Sequence, residues 1–223
     1  MCAIVLGVVL VGMLHVVPPS ANLSPVRRTI SEYALLRNGW VFDTAVLALA
    51  AGAAATLVAL VGARLLAIWS AASGALLVGA AGLAGVVVFP KHNWAVGPSM
   101  HGDIHRVASL VAFVSLPLAA ILLGRAWRRH PSWRRHAFWA LSLGVLTLLC
   151  FAPIVIAILT EPITGVPWWR ALPLGAVERL LGSAVVATVL ALAWWAARAN
   201  RFATAATEVP TQRTVTWSDR SLS

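Results

Sequence analysis

Residues 44–63 read TAVLALAAGAAATLVALVGA, twenty positions without an Asp, Glu, Lys or Arg. A helix rising about 1.5 Å per residue needs roughly 20 residues to cross the ~30 Å hydrocarbon core of a bilayer. The stretch, closed by Asp43 and Arg64, therefore reads as a membrane span. Working outward, residues 1–26, 65–90, 107–124, 136–160 and 180–197 are equally free of charge. The expectation is an all-α polytopic membrane protein, a bundle of six transmembrane helices at about 2–17, 44–63, 66–89, 106–124, 137–159 and 180–197. These form one domain, 1–201, ahead of a polar tail, 202–223, expected to be disordered and cytoplasmic.

Composition agrees. The chain of 223 residues is 60% hydrophobic and 11% charged, against roughly 45–50% and 25% in soluble domains. That excludes an ordinary soluble globule, and disorder for all but the tail. Cys2 and Cys150 lie inside apolar runs, so a disulfide scaffold is excluded too. The first segment lacks the basic leader of a secretory signal and reads as a span ended by Pro18 and Pro19.

The net charge of +10 would suggest nucleic acid in a soluble protein. Here the bases cluster between spans. Arg64, Arg125, Arg128, Arg129, Arg134, Arg135, Arg198 and Arg201 share one predicted side, with no acidic residue among the segments that hold them. The positive-inside rule puts that side, with both termini, in the cytoplasm. Tryptophans mark both boundaries: Trp40, Trp94, Trp168 and Trp169 outside, Trp69, Trp127, Trp133, Trp139, Trp194 and Trp195 inside, with Trp217 left in the tail. The Ala- and Gly-rich second and third spans are expected to form a tight hairpin about Arg64, and Pro117 and Pro153 to kink the fourth and fifth.

Ionisable groups collect on the predicted outer side, where cost in lipid makes them the functional candidates. Glu32, Asp43, His105, Glu178 and Arg179 are expected to line an outward-facing pocket for a lipid headgroup or small polar ligand. In Met100-His101-Gly102-Asp103-Ile104-His105-Arg106, a helix would put His101 and His105 on one face, a spacing that suits a metal ion with Asp103 nearby. The plainer and favoured reading has Asp103 capping the helix and His105 hydrogen-bonded at the bundle mouth. His15 and His105 at similar depth suggest a haem pair only weakly. Glu178 beside Arg179 reads as a local ion pair, and the Arg-rich loop 125–136 as a topology determinant touching anionic lipid. GxSxG, Walker, HExxH and CxxC motifs are absent from the sequence.

The segments Ile30-Ser31-Glu32-Tyr33-Ala34, Asn38-Gly39-Trp40, Val88-Phe89-Pro90 and Gly102-Asp103-Ile104-His105 resemble the prokaryotic membrane family called domain of unknown function 998, over roughly 1–201. The resemblance implies six spans in a prokaryotic cell membrane and matches Glu32 and His105 to that family's outer acid and histidine. Lys91-His92 stands where many members have an acidic residue, which weakens a metal or acid-base role there. It implies no reaction. The expected role is ligand binding in sensing, lipid handling or as an accessory. A membrane-embedded metal hydrolase and a structural subunit are the alternatives. Membrane lipids are the expected partners, with another membrane subunit or a second copy of the chain beside them, and neither nucleic acid nor a cofactor beyond that metal ion.

Overall fold

The computed structural model describes residues 1–93 and 95–207, the last five by backbone alone. Trp94 and 208–223, which include Trp217 and most of the predicted tail, lie outside the described residues. Eight α-helices follow in order among the described residues: α1 (Cys2–Leu14), α2 (Gly39–Gly62), α3 (Ala71–Val88), α4 (Met100–Trp127), α5 (Arg134–Leu149), α6 (Ala152–Thr164), α7 (Trp168–Ala171) and α8 (Leu174–Thr207). A 3-10 turn, Ser20–Asn22, and a 3-10 helix, Ile30–Leu35, lie in the long α1–α2 connection.

Five segments are long and apolar enough to cross a membrane: α2, α3, α4, the α5–α6 pair and α8. The protein is a membrane-embedded helical bundle. The first predicted span is shorter than expected. α1 has 13 residues, about 20 Å of helix, less than the hydrocarbon core. It stops at Leu14 because the chain turns at His15, whose Nδ1 bonds back to Val11 O at 2.8 Å, and Pro18-Pro19 cannot continue a helix.

The other predicted bounds shift for local reasons. α2 begins at Gly39 and so takes Asp43 into the helix, while residues 65–70 form a turn and leave α3 to start after Ser70. Ser70 Oγ accepts from Ser73 N at 3.2 Å, a side-chain cap. The expected kink at Pro153 is a break. α5 ends at Leu149, and α6 takes Pro153 into its first turn, where a missing N–H costs no hydrogen bond. Pro117 is carried inside a continuous α4. α8 runs six residues past the predicted domain boundary to Thr207.

Small residues determine which helices touch. The most extensive pair is α3 with α4. A Cβ at Gly79 would stand 2.6 Å from the Leu116 side chain, and one at Gly82 2.9 Å from Ala108 O and Ala112 N, so the two backbones are in near contact. The glycine face of α3 is spent on α4 more than on the expected partner α2. The turn between α2 and α3 does pivot on Arg64, at φ 57°, and Trp127 Nε1 donates to Leu65 O at 2.9 Å to pin it. α2, α4 and α5 all pack on α8, around a core that includes Leu60, Leu76, Leu116, Leu123, Leu192 and Trp195. Trp195, expected at a boundary, is fully buried and stacks on His136. Trp40, Trp69, Trp139, Trp169 and Trp194 are exposed. Inside the apolar interior Thr147 Oγ1 and Thr188 Oγ1 meet at 3.0 Å; one hydroxyl donates to the other, which donates on to a carbonyl of its own helix, so the shared polar pair is satisfied.

Two substitutions on α3 test this packing. Gly82→Leu should lower the thermal midpoint of the detergent-purified protein, by the roughly 1–3 kcal/mol of an overpacked core or more. Gly74→Leu on the same helix, where a side chain meets nothing within 4 Å, should leave it unchanged or raised. Equal effects would contradict the α3–α4 contact.

Candidate functional site

The α1–α2 connection carries residues 15–38, too long and too rich in proline to lie over a bundle on backbone bonds alone. Its 3-10 helix, Ile30–Leu35, is capped by Thr29. There Glu32 Oε1 accepts from Thr29 N at 3.3 Å and from Thr29 Oγ1 at 3.1 Å, an acid three residues on turning back to the start. Glu32 also pairs with Arg28 at 3.3 Å and with Lys91, beyond the end of α3, at 3.5 Å. Lys91 Nζ donates to Thr29 Oγ1 as well. Glu32 thus ties the connection to the α3 end.

The first turns of α8 complete the attachment. Arg179 NH1 donates to Pro25 O (2.7 Å), Arg28 O (2.8 Å) and Gly175 O (2.9 Å), NH2 to Tyr33 Oη (2.7 Å), and Nε to His15 Nε2 (2.9 Å). Its Cζ lies 5.7 Å from the Tyr33 ring centroid, and the Tyr33 and His15 rings meet edge to face at 5.5 Å. With Nε2 accepting, His15 keeps its proton on Nδ1, toward Val11 O. One guanidinium therefore joins α1, the connection and α8, a task for a planar fork of five donors. Glu178 supplies the other sign. Its Oε2 accepts from Ile30 N at 2.6 Å and Oε1 from Ser31 N at 3.4 Å, so the carboxylate sits on the open amides that start the 3-10 helix. Gly175 allows the approach, because any Cβ there would collide with Pro25 O and Arg28 O.

Glu178 and Arg179 do not form the expected local ion pair. Neighbours on a helix point about 100° apart, and each reaches a different part of the connection. Below them, α1, α2, α3, α4 and α8 enclose a cavity of about 560 Å³. Its walls are apolar and mostly aliphatic, among them Ile4, Val8, Val46, Leu116 and Val186; His15, Ser31, Glu178 and Arg179 stand at its polar end, with Ser109 and Ser183 also on its lining. Such a site suits a ligand with a hydrocarbon body and a small polar end.

Of the residues predicted to form a pocket, Glu178 and Arg179 line this cavity; Glu32, Asp43 and His105 do not. Asp43 is half-buried on α2. His105 is buried, and its Nδ1 lies 3.0 Å from Val86 O and 2.9 Å from Phe89 O at the end of α3. Of the proposed metal set, His101 is exposed against the edge of Phe89, and Asp103 pairs with His92 (3.3 Å) and Arg106 (3.9 Å). Among the described residues no three His, Cys, Asp or Glu side chains gather as a metal-binding group. The cap of α4 is Ser99, whose Oγ accepts from Gly102 N at 3.2 Å, rather than Asp103. Reading the sequence missed the aliphatic cavity and the joining role of His15 and Tyr33. Tyr33 had one signal, being the only tyrosine in the chain.

Residues 1–195 match the family described as protein of unknown function (DUF998). No curated protein and no solved structure matches the chain. With most of its length covered, the membrane-embedded bundle described above belongs to the DUF998 family.

Proposed function

We propose that this protein binds a membrane amphiphile, holding its hydrocarbon part in the cavity and its polar group against Glu178, Arg179 and His15, in a sensing, lipid-handling or accessory role. The observation that carries the reading is the apolar cavity closed at one end by the half-buried Glu178 and Arg179 and their hydrogen bonds. At roughly 30 Å³ per water-sized group, 560 Å³ accommodates about eighteen such groups, the bulk of one long acyl or isoprenoid chain. Hydrogen-bond acceptors and donors stand together at the polar end, so a hydroxyl, ester or zwitterionic group suits it. Val8 and Ser183 are exposed residues on the cavity wall, and α1 touches α8 only slightly. A ligand would therefore enter sideways between these helices from the bilayer.

Gly182 offers a clean test. It lines the cavity, and a side chain there meets nothing within 4 Å. Gly182→Phe should fill the space while raising helix propensity, the glycine having cost about 0.5–1 kcal/mol. Native mass spectrometry after gentle extraction should find one lipid on the unmodified protein and none on the variant, with no fall in thermal midpoint. An empty unmodified protein, or equal occupancy of both, would refute the proposal.

For placement we propose the prokaryotic cell membrane with both termini cytoplasmic, supported by the arginines around the α4–α5 turn. In a variant lacking Cys2 and Cys150, a cysteine at exposed Ser132 should resist a membrane-impermeant maleimide on intact cells and react once they are lysed. Labelling of intact cells would reverse the orientation.

A further inference from the structure

The end of the bundle opposite the cavity's polar mouth is chemically unlike it. Arg64 follows α2; Arg125, Arg128 and Arg129 end α4; Arg134 and Arg135 open α5; Arg198 and Arg201 lie on α8. All eight are exposed. None forms an ion pair with a carboxylate among the described residues, where the ion pairs of lysine and arginine join Glu32 to Arg28 and Lys91 and Asp103 to Arg106. Residues 208–223 add no net negative charge, their two acids, Glu208 and Asp219, being matched in number by Arg213 and Arg220.

The charges converge further where α5 packs along α8. Trp133 meets Phe202 at 5.9 Å and His136 stacks on Trp195 at 6.0 Å, which fixes the Arg134–Arg135 pair beside Arg198 and Arg201. Arg198 Cζ lies 6.0 Å from the Trp194 ring. Phe138, Trp139 and Trp194 are each at least half exposed one turn deeper on the same two helices. Guanidinium groups over aromatic rings at the end of a membrane span sit where phosphates meet hydrocarbon.

We propose that Arg134, Arg135, Arg198 and Arg201, with Trp139 and Trp194, form a binding surface for the headgroup of an anionic phospholipid. The charges choose the phosphate, because a guanidinium fork matches its oxygens two at a time. The exposed rings choose a lipid over a soluble polyanion, since they offer the acyl chains an apolar wall directly below the charges. The surface is independent of the cavity and stands or falls separately from it.

The test uses the full-length protein in neutral detergent, titrated with phosphatidylglycerol or phosphatidylcholine, with bound lipid counted by native mass spectrometry and stability followed by heating. Each basic side chain near an anionic surface is worth about a fivefold factor in binding. Phosphatidylglycerol should therefore be retained at least about tenfold more strongly, and the preference should collapse as salt rises and the Debye length falls to about 3 Å near 1 M. The combined Arg134→Gln, Arg135→Gln, Arg198→Gln and Arg201→Gln variant should lose the preference and keep its phosphatidylcholine binding. Equal retention of the two lipids, a preference indifferent to salt, or the same stabilisation by inorganic phosphate alone would overturn the proposal. If the variant fails to fold, the salt series on the unmodified protein still decides.

Discussion

A cation that takes three backbone carbonyls holds the polar end of this protein together. The connection before α2 leaves Pro25 O and Arg28 O facing the start of α8, and Arg179 meets both together with its own helix at Gly175 O. An unmet carbonyl near lipid costs kilocalories, so a segment that makes little regular structure is held by side chains from elsewhere. Glu178 does the same for amides at the start of the 3-10 helix. The position of α1 follows, because His15 at its end is one of the partners of Arg179. α1 is short, and its main contact is with α2; its last residue, Leu14, is buried in a cluster with Tyr33, Phe42 and Val46, and the His15–Arg179 bond adds a polar tie at that end.

The cavity is a consequence of the same arrangement. α1 is held at the top through His15 and along its length against α2, where Gly52 admits Ile4, yet it hardly touches α8. The space left between them is closed above by the groups that hold the connection. Structure and candidate ligand site therefore use the same residues, and the polar end is pre-organised because its side chains are already committed to backbone partners.

Much of this was legible in the sequence for a simple reason: uncharged runs longer than a bilayer is thick admit few other folds. The spans 106–124 and 180–197 fall within α4 and α8, and 44–63 within α2 but for its last residue. What periodicity does not encode was lost. The run 136–160 has no charge to mark the break at Cys150 and Phe151, and Pro153 is compatible with either a kink or a fresh start. Glu178 and Arg179 could be singled out because two charges beside a span are expensive. Their partners could not, since these are mostly backbone atoms about 150 residues away, and a backbone atom carries no sequence signal. Glu32 and His105 stood out equally well by residue type; the structure spends them on a helix start and on the carbonyls of α3.

α8 is the longest helix, with 34 residues or about 51 Å of continuous rod. Its first turns hold Glu178 and Arg179, and its last described turns hold Arg198 and Arg201, with α2, α4 and α5 packed between. A rod gripped near its middle is a lever. A tilt of about 5° around that middle moves each end by only about 2 Å, in opposite directions, over an arm of about 25 Å. The same helix thus carries exposed arginines at one end of the bundle and, at the other, the two side chains that hold the loop over the cavity.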